Sequence, residues 1–356
     1  MPWIKRWWYI LPPFLLLFVE FFHHITAFDQ DLGRHVLTGK IILQTLHVPT
    51  TNLFSYTYPA FPFINHHWGS EVVFYLVFHT TGSLGLFTLS LLIILAAFFL
   101  QLRGTKSSPP IIIVPLAIMY LRILSERTDI RPELFSFFFL SLIVTILYRN
   151  REHTTRLIYL LIPLELLWTN MHIYFPIGVL VTALFLIEEI ILKRKNLRNR
   201  HTLTLGAVFL AMGGMTLINP HFLTGALYPF RVFQNYGYTI EENQSPFFLQ
   251  SLGFATPTFP YLEVTIIILF LSLLFTIRKS RIIDWLLSLT FTLIALMAVR
   301  NFPLFVFTTF IACCTASSNL LSALPKIRGK PFWKITWILL ISFFLLWQTH
   351  SILRKE

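Results

Sequence analysis

Charge is scarce in this sequence. Only 12% of its 356 residues are Asp, Glu, Lys or Arg, whereas a soluble domain of this length carries about a quarter; a soluble globular chain is thereby excluded. Cysteine is nearly absent: Cys313 and Cys314 are the two present, adjacent in an apolar run. That leaves neither a disulfide framework nor a thiolate metal site and reads as packing. There is no internal repeat and no low-complexity tract. Despite a net charge of +12, no basic stripe interleaved with aromatics is found, so nucleic acid is excluded as a partner.

What the sequence has instead is hydrocarbon. Its residues are 55% apolar and its mean hydropathy is +0.69. Apolar runs of about 20 residues match the bilayer core and recur along the chain. They predict an all-α integral membrane protein, a single polytopic domain over 1–356 with about eleven transmembrane helices. The first covers 7–28. Lys5 and Arg6 precede it as they would a signal peptide, but the stretch is longer than a signal core. His23-His24-Ile25-Thr26 also lacks a small-residue cleavage pattern, so this helix reads as retained. The next covers 71–101 with a break near Gly82. Later spans fall at 109–122, 134–148, 157–168, 174–192, 203–219, 261–277, 282–299, 302–322 and 333–350, the fifth of the series being short.

Orientation follows from the loops. With the N-terminus in the cytoplasm, nineteen of the twenty-eight basic residues lie inside, the densest cluster being Lys193-Arg194-Lys195 with Arg198 and Arg200. Residues 28–70 then form a first outer loop and 220–260 a long outer segment rich in Pro, Gly and aromatics. Twelve of sixteen acidic residues lie on the outer side. Acids contribute little to topology, so a site on the outer face is the economical cause.

The outer loop carries the densest chemistry. Asp29 and Asp31 form a D-x-D directly after the first helix, and Asp31 and His35 are four apart, on one face of any helix starting there. An aspartate at a helix start also serves as an N-cap. Leu32, Val36, Leu37, Ile41 and Ile42 have amphipathic spacing, which predicts an interfacial helix. The loop ends in His66-His67-Trp68 and Glu71, with His67 and Glu71 again four apart. Such a mixture of carboxylates and imidazoles can hold a divalent cation (Mg or Mn, with Asp29, Asp31 and Glu71 as ligands) or act as general base; the bland alternative is an interfacial belt of His and Trp. Between the next two spans runs Glu126-Arg127-Thr128-Asp129-Ile130-Arg131-Pro132-Glu133. Arginines on the outer face oppose the topology rule, and their guanidinium fork suits phosphate oxygens, unless salt bridges within the loop absorb them. Trp168-Thr169-Asn170-Met171-His172, Asn219-Pro220-His221 with Tyr228, Glu241 and Glu242 beyond it, and Arg300-Asn301-Phe302-Pro303 share that side.

Taken in order, these pieces resemble bacterial polytopic enzymes of the glycosyltransferase C (GT-C) superfamily. The matching residues are Asp29, Asp31, His35, Thr38-Gly39, Val48-Pro49-Thr50, Phe54-Ser55-Tyr56-Thr57, His66, Trp68, Ser70-Glu71, Arg131-Pro132-Glu133-Leu134-Phe135-Ser136, 168–172, Asn219-Pro220 and 300–303. The resemblance covers about residues 28–305. It departs at Gly33 and Arg34, where the family commonly has paired tryptophans, at Asn52, where it has an acid, and at His67, where it has Glu. The resemblance implies a glycosyltransferase of the bacterial cytoplasmic membrane, its cavity facing outward. It would move a sugar from a polyprenyl-phosphate donor to a glycan, lipid or protein acceptor. Asp29 or Asp31 would be the base. Arg127, Arg131 and Arg300 would lie near the phosphate, with His35, His66, Glu71 and His172 as further binding residues. The rival readings are a lipid or oligosaccharide transporter or flippase, which should show midplane charges and inverted repeats, and a non-catalytic membrane scaffold of the same fold.

Overall fold

The computed structural model describes residues 31–323, apart from Lys106, Thr128, His153, Thr154, 232–239, Ala255 and Pro257, together with Leu11, 13–15, Leu17 and Phe18. Asp29, most of the expected first span and all of the last lie outside the described residues.

The described residues from 31 onward are mainly helical. The elements are α1 (Leu32–Thr45), α2 (Trp68–Gly104), α3 (Pro110–Leu124), α4 (Glu133–Glu152), α5 (Leu161–Met171), α6 (Pro176–Leu192), α7 (Arg200–Met215), α8 (Phe222–Leu227), α9 (Pro246–Ser251), α10 (Thr258–Phe275), α11 (Ile282–Met297) and α12 (Phe302–Ala323). Among the described residues there is no strand, only an isolated antiparallel bridge between Thr51 and Pro62. Among the described residues four helices are long and apolar enough to cross a membrane: α2, α4, α10 and α12 with its leading turn. α3 and α11 are shorter apolar helices. For the nine expected segments between 71 and 322 the helix boundaries agree to within a few residues, while four helices rather than eleven have the length and apolarity of a span among the described residues. The short fifth span is a 3₁₀ turn, Arg156–Leu160, running into the eleven residues of α5.

α4 and α12 occupy the middle. Their apolar windows are 83% and 72% buried, against 33% for α2 and 39% for α10. Phe137 of α4 stacks on Phe307 of α12, and Tyr120 of α3 exchanges a 2.9 Å hydrogen bond with Thr309. The outer helices are apolar on their exposed faces too: Val264, Ile267 and Leu271 of α10 and Leu289 and Leu293 of α11 point away from the core. Helices hydrophobic all round are what a lipid solvent selects.

The helices deliver their loops to two ends. At one end the acids Glu188, Glu189 and Asp284 are absorbed by neighbours. Glu188 holds Arg151 at 2.7 Å and accepts the Ile283 amide, Asp284 holds Arg281 at 2.8 Å and accepts the Tyr148 hydroxyl, and Glu189 faces His201 at 3.1 Å. The other end gathers the start of α1, residues 65–71, 125–133, 172–175, 240–243 and 299–301.

Two glycines shape that second end. A Cβ on Gly39 would stand 2.0 Å from the Glu71 carbonyl oxygen, so hydrogen alone lets α1 lie against the first turn of α2. Gly82 has φ 65° and ψ −158° inside α2, a region essentially reserved for glycine. It produces the break expected there.

Candidate functional site

Gly39 brings α1 onto α2, and the first product of that contact is a buried pair. His35, on the inward face of α1, places Nδ1 3.0 Å from Glu71 Oε1. Asn65 donates to the other carboxylate oxygen at 2.6 Å. Glu71 is completely buried, and His67, one turn earlier, has Nε2 3.8 Å from the same Oε1. The i, i+4 placement of His67 and Glu71 therefore holds. The expected Asp31–His35 pairing does not form at the side chains: His35 turns to Glu71, and Asp31 lies 3.5 Å from Arg34. Nor does Asp31 cap α1, since its side chain makes no capping bond. The predicted interfacial helix buries Leu32, His35, Thr38, Gly39 and Ile42, while Leu37 stays exposed. The sequence pattern had the helix right and its inward face shifted.

Above this pair opens a cavity of about 480 Å³. Asp31, His35, His66, Arg127, Arg131, His172 and Arg300 all line it, as do Arg34, His67, Glu133, Tyr174, Tyr228 and Glu242. Residues from 31 to 300 thus converge, and of the expected described set only Glu71 stands behind the wall, against His35.

The arginines are not bare. Arg127 makes a bidentate pair with Glu133, both bonds 3.0 Å, and its remaining nitrogen donates to Glu242. Arg131 donates to the same Glu242 oxygen at 3.0 Å. Arg300 lies 3.9 Å from the other oxygen, donates to Asn243 at 2.8 Å and to the Tyr174 hydroxyl at 3.0 Å. Glu242 is the carboxylate on which three guanidiniums meet. Burial pushes its carboxyl up, but Arg127, Arg300 and Arg131 outweigh burial and hold it below the ordinary range. Arg127 answers in kind: burial works against its charge, and Glu133 and Glu242 raise it further above its ordinary value.

Burial disfavours the charged form of three of the cavity imidazoles. Burial lowers His66 to about 3, and burial drives His67 and His172 well below their usual value, with neighbouring histidines adding to it. His172 is tied to α4: Trp168 Nε1 donates to Ser136 Oγ at 2.7 Å, and Ser136 Oγ lies 2.8 Å from His172 Nδ1. The site end is knitted further by Trp68 Nε1 donating to Asn170 at 2.8 Å and by Ser70 donating to the Met171 carbonyl.

Glu133 and Glu242 are the residues the sequence reading passed over as site residues, although both stood in the quoted outer segments. The signal was available: outer arginines in excess of the topology rule require carboxylates. Comparison of the chain with protein-family models, curated proteins and solved structures finds no match.

Proposed function

We propose that this chain is a membrane glycosyltransferase, GT-C-like with about eleven spans, that moves a sugar from a polyprenyl-phosphate donor to an acceptor on the outer side of the bacterial cytoplasmic membrane. One observation carries the reading: an aspartate that neither caps its helix nor is buried faces the same cavity as four arginines drawn from three far-apart segments. In the reaction the acceptor hydroxyl oxygen attacks the anomeric carbon and its proton passes to the base. The bond from that carbon to the phosphate oxygen breaks, and the electron pair leaves with the polyprenyl phosphate. Asp31 is the described candidate for the base; Asp29 is its rival in the same motif.

The four guanidiniums of Arg34, Arg127, Arg131 and Arg300 outnumber the carboxylates of Asp31, Glu133 and Glu242 on the cavity wall. That surplus suits a phosphate leaving group. Glu242 already occupies guanidinium edges that a phosphate would take, so donor binding on this reading exchanges one anion for another.

The test is sugar transfer by purified protein in lipid, comparing wild type with Asp29→Asn and Asp31→Asn. Loss of the base lowers turnover by about 10²–10⁴-fold while donor binding survives. Transfer at the wild-type rate by both folded variants refutes the mechanism.

A further inference from the structure

His67 poses a problem that sugar transfer does not explain. Both of its ring nitrogens are buried and neither has a hydrogen-bond partner, an arrangement that costs free energy unless something unseen satisfies it. Its immediate neighbours are the other two groups of a ligand set. One ligating atom from each of His35, His67 and Glu71 lies within 4.8 Å of the others. Two edges of this triangle, His35 Nδ1 to Glu71 Oε1 at 3.0 Å and His67 Nε2 to Glu71 Oε1 at 3.8 Å, straddle the separation of about 3.3 Å that tetrahedral zinc with bonds of about 2.0–2.1 Å imposes.

We propose that His35, His67 and Glu71 bind one divalent transition-metal cation of the zinc class, with the remaining coordination position opening on the cavity. His35 and His67 both line that cavity whereas Glu71 lies behind them, so an incoming water or anion reaches the ion from the cavity side alone. The second shell is built: Asn65 grips the Glu71 oxygen not used by the histidines, at 2.6 Å, which fixes the carboxylate plane. Two nitrogens with one oxygen favour zinc, cobalt or iron over magnesium. This departs from the oxygen-only set of Asp29, Asp31 and Glu71 expected from the sequence. Metal binding takes the place of the hydrogen bond between His35 Nδ1 and Glu71 Oε1.

The assignment is independent of the sugar-transfer reading, and its test reads metal rather than turnover. The tag-free full chain in lipid nanodiscs is stripped with chelator, titrated with Zn²⁺ by calorimetry and, separately, with Co²⁺ by visible absorption. One equivalent of Zn²⁺ and a tetrahedral-type Co²⁺ spectrum are expected. Asn65→Ala should weaken Zn²⁺ by about 10–100-fold, and His67→Ala should weaken it further and abolish the Co²⁺ band. His67→Ala is the deciding variant because it removes a ligand without breaking a hydrogen bond, so a monodisperse variant is expected. Absence of stoichiometric Zn²⁺ uptake, or equal uptake by wild type and His67→Ala, overturns the proposal.

Discussion

Glu133 and Glu242 determine what the cavity arginines are held against. Arg127 and Glu133 are both buried, and removing Glu133 takes away both bonds of the bidentate pair and leaves Glu242 as the remaining counter-charge of Arg127, at a cost of up to about 3–5 kcal/mol. Glu133→Ala should therefore lower the thermal midpoint in detergent far more than truncation of the half-exposed Asp31, a comparison that differential scanning fluorimetry makes directly. Glu242 gives a pH signature. Its folded value lies below its unfolded one, so the stabilisation it brings is present above the ordinary carboxylate range and is lost as pH falls through the folded value. Hydrogen exchange of residues 240–246 should rise on acidification below about pH 4.5, and Glu242→Gln should show the raised exchange already at neutral pH. Asp31, His35, His66, Arg127, Arg131, His172 and Arg300 were legible from sequence because scarce polar residues stood out against apolar spans. Glu242 was not, because its hydrogen-bond partners Arg127 and Arg131 lie 115 and 111 positions away and no local pattern links them.

At the scale of elements, the site depends on how closely α1 lies on α2. A methyl at Gly39 overlaps the Glu71 carbonyl, and backbone cannot step aside as a flexible side chain can. Gly39→Ala should destabilise by about 1–3 kcal/mol and separate His35 from Glu71; Gly33→Ala on the same helix meets open space and is the control. Gly82→Ala forces a non-glycine residue into a conformation costing about 1–3 kcal/mol, so it should straighten α2 or unfold its middle, which spin-label distances across residues 75–95 would register. Helix positions were readable because apolar runs are long and sharply bounded. Which face of α1 turns inward was less readable, since a histidine paired to a buried carboxylate looks polar in sequence and behaves as core in the fold.

For the whole molecule, the basic clusters give an orientation that the helices alone do not. With Tyr58 and Asn196 both exposed, cysteines placed there report opposite sides. Tyr58→Cys should react with an impermeant maleimide in intact cells and Asn196→Cys only after permeabilisation; the reverse pattern overturns the orientation. The convergence of residues 31, 127, 131, 242 and 300 on one cavity also sets a timetable for biogenesis. As the chain emerges, Arg127 finds Glu133 almost at once, six positions on. Arg131 waits for Glu242, more than a hundred residues later, and Arg300 arrives later still. Translation therefore delivers the lock before the bolt: a ribosome stalled anywhere before Arg300 leaves a half-walled vestibule, and the cavity gains its last arginine only once residue 300 has been read.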